Sequence, residues 1–271
     1  MASFVVSGMP VYRITLAYDG TGLVGWQRQA SGQSIQGLLE DALGELDGQD
    51  VTVVGAGRTD AGVHAAGQVA GFSLGCSIAP HVLVRAMNAR LPPAVRLLDA
   101  TETTPSFHAR FDARAKTYRY RIWNSDVLSP FERAYVWHVP GPLRVDLMQA
   151  AACLLEGQRD FAAFQATGSS TQTTERVVLS SSVHADAVES GRLRLCRTEG
   201  RLLTYEITGN GFLRHMVRNI TGSLVEIGRG RRNVEWIRDV LASRDRTLAG
   251  PTAPASGLFL MRVDYNTSDV S

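Results

Sequence analysis

With 271 residues, 28 Lys+Arg against 26 Asp+Glu and a formal net charge of +2 at pH 7, the chain is neither strongly basic nor strongly acidic. A composition 44% hydrophobic and 20% charged excludes a disordered or collagen-like protein, and the length suffices for one large or two modest cores. Near-neutrality hides an asymmetry: Lys116 is the single lysine, and the rest of the cations are arginine. Arginine's planar fork matches phosphate bidentately and stacks on bases, although genome-wide composition bias gives the same pattern.

Val11–Tyr18 (VYRITLAY) is rich in β-branched and aromatic residues and ends at the turn signal Asp19-Gly20, which predicts a strand. A helix is predicted from an N-cap at Ser34 to a stop at Gly48, because Ile35, Leu38, Leu39, Ala42, Leu43 and Leu46 form one apolar stripe. Strands at 51–54 and 68–72 flank the glycine-rich GAGRTDAGVHAAG, and a helix at 81–91 must stop at Pro92-Pro93. Further on, Lys116, Tyr118, Tyr120 and Ile122 alternate with Thr117, Arg119, Arg121 and Trp123, predicting a strand with one aromatic and one arginine-bearing face. Asp146 and Gln149 have capping-box spacing at the start of a helix ending near Gly157. Strands at 176–186, 191–197 and 201–208 precede helices at 212–227 and 234–241 and a closing strand at 257–265. Strand pairs separated by single helices, twice over, predict an α+β protein of two related halves, 1–105 and 106–271, with mainly antiparallel sheets.

Cys76, Cys153 and Cys196 are widely spaced and form no C-x-x-C, as expected of buried or idle thiols in a reducing compartment. The N-terminal MASFVVSGMPVYR lacks the charged and long apolar regions of a signal peptide, and no apolar run reaches the length of a membrane span. A cytoplasmic protein is the expectation. The six histidines show neither H-x-x-x-H nor paired Cys/His spacing, so no metal site is expected.

The densest cluster of unusual residues is Gly55-Ala56-Gly57-Arg58-Thr59-Asp60-Ala61-Gly62-Val63-His64. It fails as a dinucleotide fingerprint because Asp60 replaces the last glycine, and as a P-loop because Val63-His64 replaces Lys-Ser/Thr. An aspartic-protease site needs a second carboxylate to share the proton, and Asp60-Ala61-Gly62 has no second copy. What remains is one aspartate on a glycine-flanked loop, two residues after an arginine. Glycines allow close approach of a ligand, and a neighbouring cation keeps a carboxylate ionised as nucleophile or base. The same pattern also describes a surface loop whose aspartate caps a turn, with Arg58 as its ion-pair partner.

GAGRTDAGVHAAGQV resembles the signature of the tRNA pseudouridine synthase A family. Four further segments are similar to family segments in the same order: YDGTGLVGWQRQ (Tyr18 to Gln29), FHARFDARAKTYRY (Phe107 to Tyr120), FLRHMVRNITGSL (Phe212 to Leu224) and SRDRTLAGPTAPASGLFL (Ser243 to Leu260). The resemblance covers about Arg13 to Tyr265 and implies the pseudouridine synthase fold, with an active-site cleft between the halves. It also implies an isomerase that converts uridine to pseudouridine at positions 38, 39 and 40 of the tRNA anticodon stem-loop, without a cofactor. By resemblance Asp60 is the catalytic carboxylate, acting either as nucleophile at the anomeric carbon or by taking the 2′ proton to form a glycal. Tyr118 corresponds to the tyrosine that packs on the target base, a task suited to a flat ring, and Arg218 to the arginine that pairs with the aspartate.

A base inside a stem must be flipped out to be reached, at a cost of about a few kcal/mol, and Arg58 resembles the family residue that fills the vacated space. Phe107, His108, Ala109, Arg110 and Phe111 match a segment lining the RNA path, mixing aromatic and cationic groups as loop recognition demands. Gly168, Ser169, Ser170, Thr171 and Gln172 correspond to a tRNA-contacting loop that in relatives carries Cys and Arg, so grip here would come from backbone and hydroxyl groups. Two cationic runs coincide with these segments: Arg110, Arg114, Lys116, Arg119 and Arg121 against Asp112, and Arg214, Arg218, Arg229, Arg231 and Arg232 against Glu226. Both are expected to meet phosphates. The family acts as a homodimer, with one tRNA bridging both subunits. A non-catalytic RNA-binding protein or chaperone on the same fold is the competing reading, and the intact set of Asp60, Tyr118 and Arg218 speaks against it. A nucleoside hydrolase would call for two carboxylates, as glycosidases do.

Overall fold

A computed structural model describes residues 8–169, 171–185 and 200–266. The elements in chain order are β1 (Val11–Tyr18), α1 (Ile35–Asp47), β2 (Val54–Gly55), β3 (His64–Ser73), α2 (Pro80–Arg90), β4 (Val95–Thr103) and β5 (Ala115–Asn124). They continue with β6 (Trp137–Val139), α3 (Val145–Cys153), β7 (Gly157–Asp160), β8 (Glu175–Ala185), β9 (Arg201–Gly209), α4 (Met216–Gly228), α5 (Trp236–Ser243) and β10 (Leu258–Asp264). The architecture is α+β. Two compact units are formed, one from residues up to Ala115 together with those from Leu260 on, the other from Lys116–Phe259. The boundary expected at 105/106 thus falls inside β5, and most of the closing strand belongs with the first unit.

The first unit is built on the sheet order β4-β1-β3-β10, with β2 also on β3. β1 runs antiparallel to both β3 and β4, and its alternation places Tyr12, Ile14, Leu16 and Tyr18 in the core. On α1, Ile35, Leu39 and Leu43 are fully buried, each contributing about 1.5–3 kcal/mol by removal from water. The helix ends follow the sequence: Ser34 Oγ accepts from Gly37 N–H, and Gly48 closes the helix in the left-handed region at φ 73°. α2 begins on Pro80 and stops before Pro92. The strand expected at 51–54 contracts to β2, whereas β3 begins at His64, inside the glycine-rich segment.

In the second unit β5, β9, β8 and β7 form an antiparallel sheet in that order, and β6 pairs in parallel with β5. The alternation of β5 is realised: Tyr118, Tyr120 and Ile122 are buried, while Arg119, Arg121 and Trp123 are half-exposed. α3 has no capping box, because Asp146 receives both nitrogens of Arg144 (3.0 and 2.7 Å) and Gln149 Oε1 accepts from Val183 N–H. α4 starts at Met216 instead of Phe212, since His215 takes the left-handed conformation (φ 63°) and interrupts helical continuation. The strand expected at 191–197 lies outside the described residues. Among the described residues no helix is long and apolar enough to cross a membrane. Of the expected alternatives, buried or idle thiols, burial does not hold for Cys76 and Cys153, which are free and exposed.

Candidate active site

The loop carrying Asp60 joins β2 to β3 and is pinned by the segment that leaves β1, Tyr18 to Trp26. Trp26 N–H donates to the Thr59 carbonyl (3.0 Å), and Gly62 N–H donates to the Leu23 carbonyl (3.3 Å). The Tyr18 hydroxyl lies 2.8 Å from Thr59 Oγ1. Gln68 Nε2 donates to Tyr18 Oη (3.4 Å) and to the Gly57 carbonyl (2.9 Å). At the far end Gly20 N–H donates to Nδ1 of the buried His64 (3.1 Å). Asp19 Oδ1 lies 3.2 Å from the same nitrogen.

Two glycines make this approach possible. A Cβ on Gly20 would overlap the Val63 carbonyl. One on Gly25 would lie 2.6 Å from the Thr59 oxygen and 3.0 Å from Ala61 N, and Gly25 also has φ +99°. The YDGTGLVGW segment therefore serves as the cradle of the aspartate loop. Thr59 is held by its carbonyl and its hydroxyl, and Asp60 is the next residue along a fixed backbone. Asp60 is half-buried and Arg58 exposed. Arg58 makes no hydrogen bond or ion pair among the described residues, so the Arg58–Asp60 turn pair considered from sequence is not formed.

Burial pushes the Tyr18 hydroxyl from 10.0 up to about 12, against the opposing hydrogen bonds of Thr59 and Gln68. Burial likewise raises Tyr120, Tyr205 and Tyr265. Below the ordinary tyrosine value these hydroxyls are protonated whether the chain is folded or not, and stability does not vary with pH on their account. Above it the unfolded chain releases protons that the fold retains, so stability falls as pH rises. Thermal melts from pH 10 upward are expected to show this decline, with a shallower slope in Tyr18→Phe; identical slopes would contradict the burial of that hydroxyl.

In the same unit, residues 107–112 form a tight turn. Arg110 and Phe111 N–H both donate to His108 Nδ1 (3.2 Å each), and Asp112 Oδ2 accepts from His108 N–H (2.7 Å). The Phe111 ring is 74% exposed. It lies 4.2 Å from the His108 ring with the Arg110 guanidinium 5.7 Å from its centroid. Ala109 is buried, its carbonyl accepting from Tyr265 (2.6 Å), and Phe107 packs on the Tyr265 ring at 5.5 Å. His108, Arg110 and Phe111 are thus presented, while Phe107 and Ala109 anchor the turn.

The second unit holds Tyr118 and Arg218. Tyr118, 7% exposed on β5, is fixed edge-on by the Phe212 ring at 5.0 Å. Arg218 lies in the first turn of α4; its Nε donates to the Ala253 carbonyl (2.8 Å), and Ala253 N–H returns a bond to the Arg218 carbonyl (3.2 Å). Tyr120 donates to the neighbouring Pro254 carbonyl (2.7 Å). Fully buried Asn219 donates to the Phe164 carbonyl (2.8 Å) and accepts from Arg246 (3.0 Å) and Thr252 (2.6 Å). A Cβ on Gly222 would overlap the Pro251 carbonyl, so α4 and the 246–254 segment lie in direct contact. The PTAPASG stretch orients Arg218 and Tyr120 through its backbone. From Gly168 to Gln172 the chain turns at Gly168 (φ 75°); Thr171 accepts from Gln165 (3.3 Å), Ser169 Oγ is buried without a partner among the described residues, and Ser170 lies outside them.

Both cationic runs are less available than their sequence implies. Arg119 pairs with its cross-strand neighbour Glu206 (2.9 Å), and Arg121 with Glu132 (3.4 Å). Arg229 and Arg231 converge on Glu226 (3.4 and 3.1 Å), and Arg232 stacks on Trp236 (5.1 Å). Among the described residues no group of three or more His, Cys, Asp or Glu is placed to hold a metal ion.

Residues 14–112 and 151–266 match the tRNA pseudouridine synthase family. The chain belongs to that family of RNA-modifying isomerases. Its relatives include the tRNA pseudouridine synthase A of Myxococcus xanthus, 44% identical over 95% of this chain and 92% of the relative. Proteins of the same name from Moorella thermoacetica and Solibacter usitatus are each 46% identical, over 95% and 93% of this chain and 100% and 98% of theirs.

Proposed function

We propose that the protein converts uridine to pseudouridine at positions 38, 39 and 40 of tRNA, with Asp60 as the catalytic carboxylate and no cofactor. The observation that carries this reading is a single aspartate on a loop immobilised at Thr59 by Tyr18 and Trp26 and at Gly57 by Gln68. Preorganisation of that kind suits a group that must meet one sugar atom in a near-attack geometry. The C1′–N1 bond breaks, Asp60 acting either on C1′ or on the 2′ proton. The freed uracil turns, C1′ joins C5, the C5 proton is lost and N1 regains one, so substrate and product are isomers.

Tyr118 stacks on the base and holds it while it is detached, and Arg218 serves as the counter-cation of Asp60. Arg58 props open the stack vacated by the flipped nucleotide. His108, Arg110 and Phe111 meet the RNA through stacking and charge, Phe107 and Ala109 support them, and the Gly168–Gln172 loop adds backbone and hydroxyl contacts. The working unit is a cytoplasmic homodimer with tRNA across both subunits. Transcripts carrying uridine at only position 38, 39 or 40 test the site assignment: each should gain one pseudouridine, with uridines elsewhere in the tRNA untouched. Modification outside the anticodon arm would contradict it.

A further inference from the structure

From the structure we infer a phosphate-binding cavity in the second unit, built by Arg214 and Arg246 and shaped to take the sugar–phosphate backbone of RNA. This rests on the tRNA reading above. The cavity, about 410 Å³, lies between the Ala166-Thr167 turn, the entry to α4 and the 246–252 segment. Its side chains are cationic, histidine, hydroxyl or apolar, and no carboxylate lines it. Arginines such as Arg119, Arg144 and Arg229, by contrast, already reach a carboxylate within 3.4 Å.

Arg214 makes no side-chain hydrogen bond or ion pair among the described residues, although its carbonyl is fixed by Ala166 N–H (2.9 Å). Arg246 is partly buried, and one nitrogen, Nη2, donates to Asn219 and Thr252 (3.0 Å each). Its Nη1 and Nε have no partner among the described residues. A desolvated guanidinium with no carboxylate beside it favours any anion that enters. Fork-shaped donors on a held side chain match the paired oxygens of a phosphodiester. Thr252, which binds Arg246, precedes the residue that orients Arg218, so the cavity adjoins the anchor of the proposed active-site arginine.

The test measures tRNA binding against salt for the wild type, Arg214→Gln, Arg246→Gln and the control Arg238→Gln, which removes an exposed charge paired with Glu235 outside the cavity. Thermal melts confirm that each variant is folded. Loss of one phosphate contact should reduce the slope of log affinity on log salt by about 0.7–0.9 and weaken binding by about fivefold to tenfold at moderate salt, with no slope change for Arg238→Gln. An unchanged slope in folded Arg214→Gln, with wild type still forming pseudouridine, overturns the cavity and leaves the functional reading intact. Calorimetry with inorganic phosphate alone separates the sources: uptake by wild type together with an unaltered tRNA slope in Arg214→Gln would mark a free-anion site and also overturn the proposal. A wild type that neither binds nor modifies tRNA removes both.

Discussion

Asp60→Asn is expected to lower the rate of pseudouridine formation by at least about 10⁴-fold, the scale on which loss of a sole catalytic group is felt. Affinity for tRNA should stay within about threefold, because the RNA contacts proposed above come from other residues. The substitution is nearly isosteric and the backbone of the loop is held through Thr59, so the fold should be retained. Single-turnover rates at saturating tRNA, beside an equilibrium binding curve, separate the two quantities. Full activity in this variant would remove Asp60 from the chemistry.

Gly25→Ala should also slow the reaction strongly, although Gly25 carries no functional group. Its new Cβ would meet the Thr59 carbonyl and Ala61 N, the two peptide groups that bracket Asp60, while φ +99° adds backbone strain of about 1–3 kcal/mol. The loop must move, and misplacement by about 1 Å costs on the order of 10²-fold in rate. Gly22→Ala is the matching control: it has φ +77° but nothing within 4 Å of a Cβ. It should lose stability from backbone strain and keep its kcat, whereas Gly25→Ala should lose both. Equal kcat in the two variants would show that the contact with Thr59 does not position the aspartate.

Elements with clean periodicity were legible in the sequence. β1, α1 and the aromatic face of β5 appear as read, because each buries one face against its own sheet or core. β4 was missed for a physical reason. Its register shifts opposite Thr15 and Leu16, inserting Leu98 as an extra residue that stands 54% exposed and destroys the alternation. β8 carries a similar insertion, with Leu179 at 58%, but its longer run of β-branched and small residues still reads as a strand. The capping box at Asp146 failed because Arg144, just before it, offers a bidentate partner stronger than a backbone N–H.

Around the candidate site, the chemistry-bearing residues were legible through motif resemblance and their supports were not. Tyr18, Trp26 and Gln68 read as ordinary strand and loop residues; only the fold brings Tyr18 and Trp26 onto Thr59 and Gln68 onto the Gly57 carbonyl. Asn219, Arg246 and Thr252 are likewise separated in sequence and joined in one hydrogen-bond network. The signal that could have found them is that all of them lie inside the segments carrying the family resemblance. The arginine runs misled in the opposite direction. Cross-strand and helix-end partners such as Glu206 and Glu226 are invisible to a local charge count; within the second run they engage Arg229 and Arg231 but not Arg214, which shares its cavity with Arg246.

The most direct measurement follows uridine, pseudouridine and free uracil together in a tRNA transcript with a single uridine at position 39. Asp60 working as the carboxylate of an isomerase requires one pseudouridine for each uridine consumed by wild type, no free uracil, and no turnover by Asp60→Asn. Release of free uracil, or undiminished conversion by Asp60→Asn, would contradict that assignment.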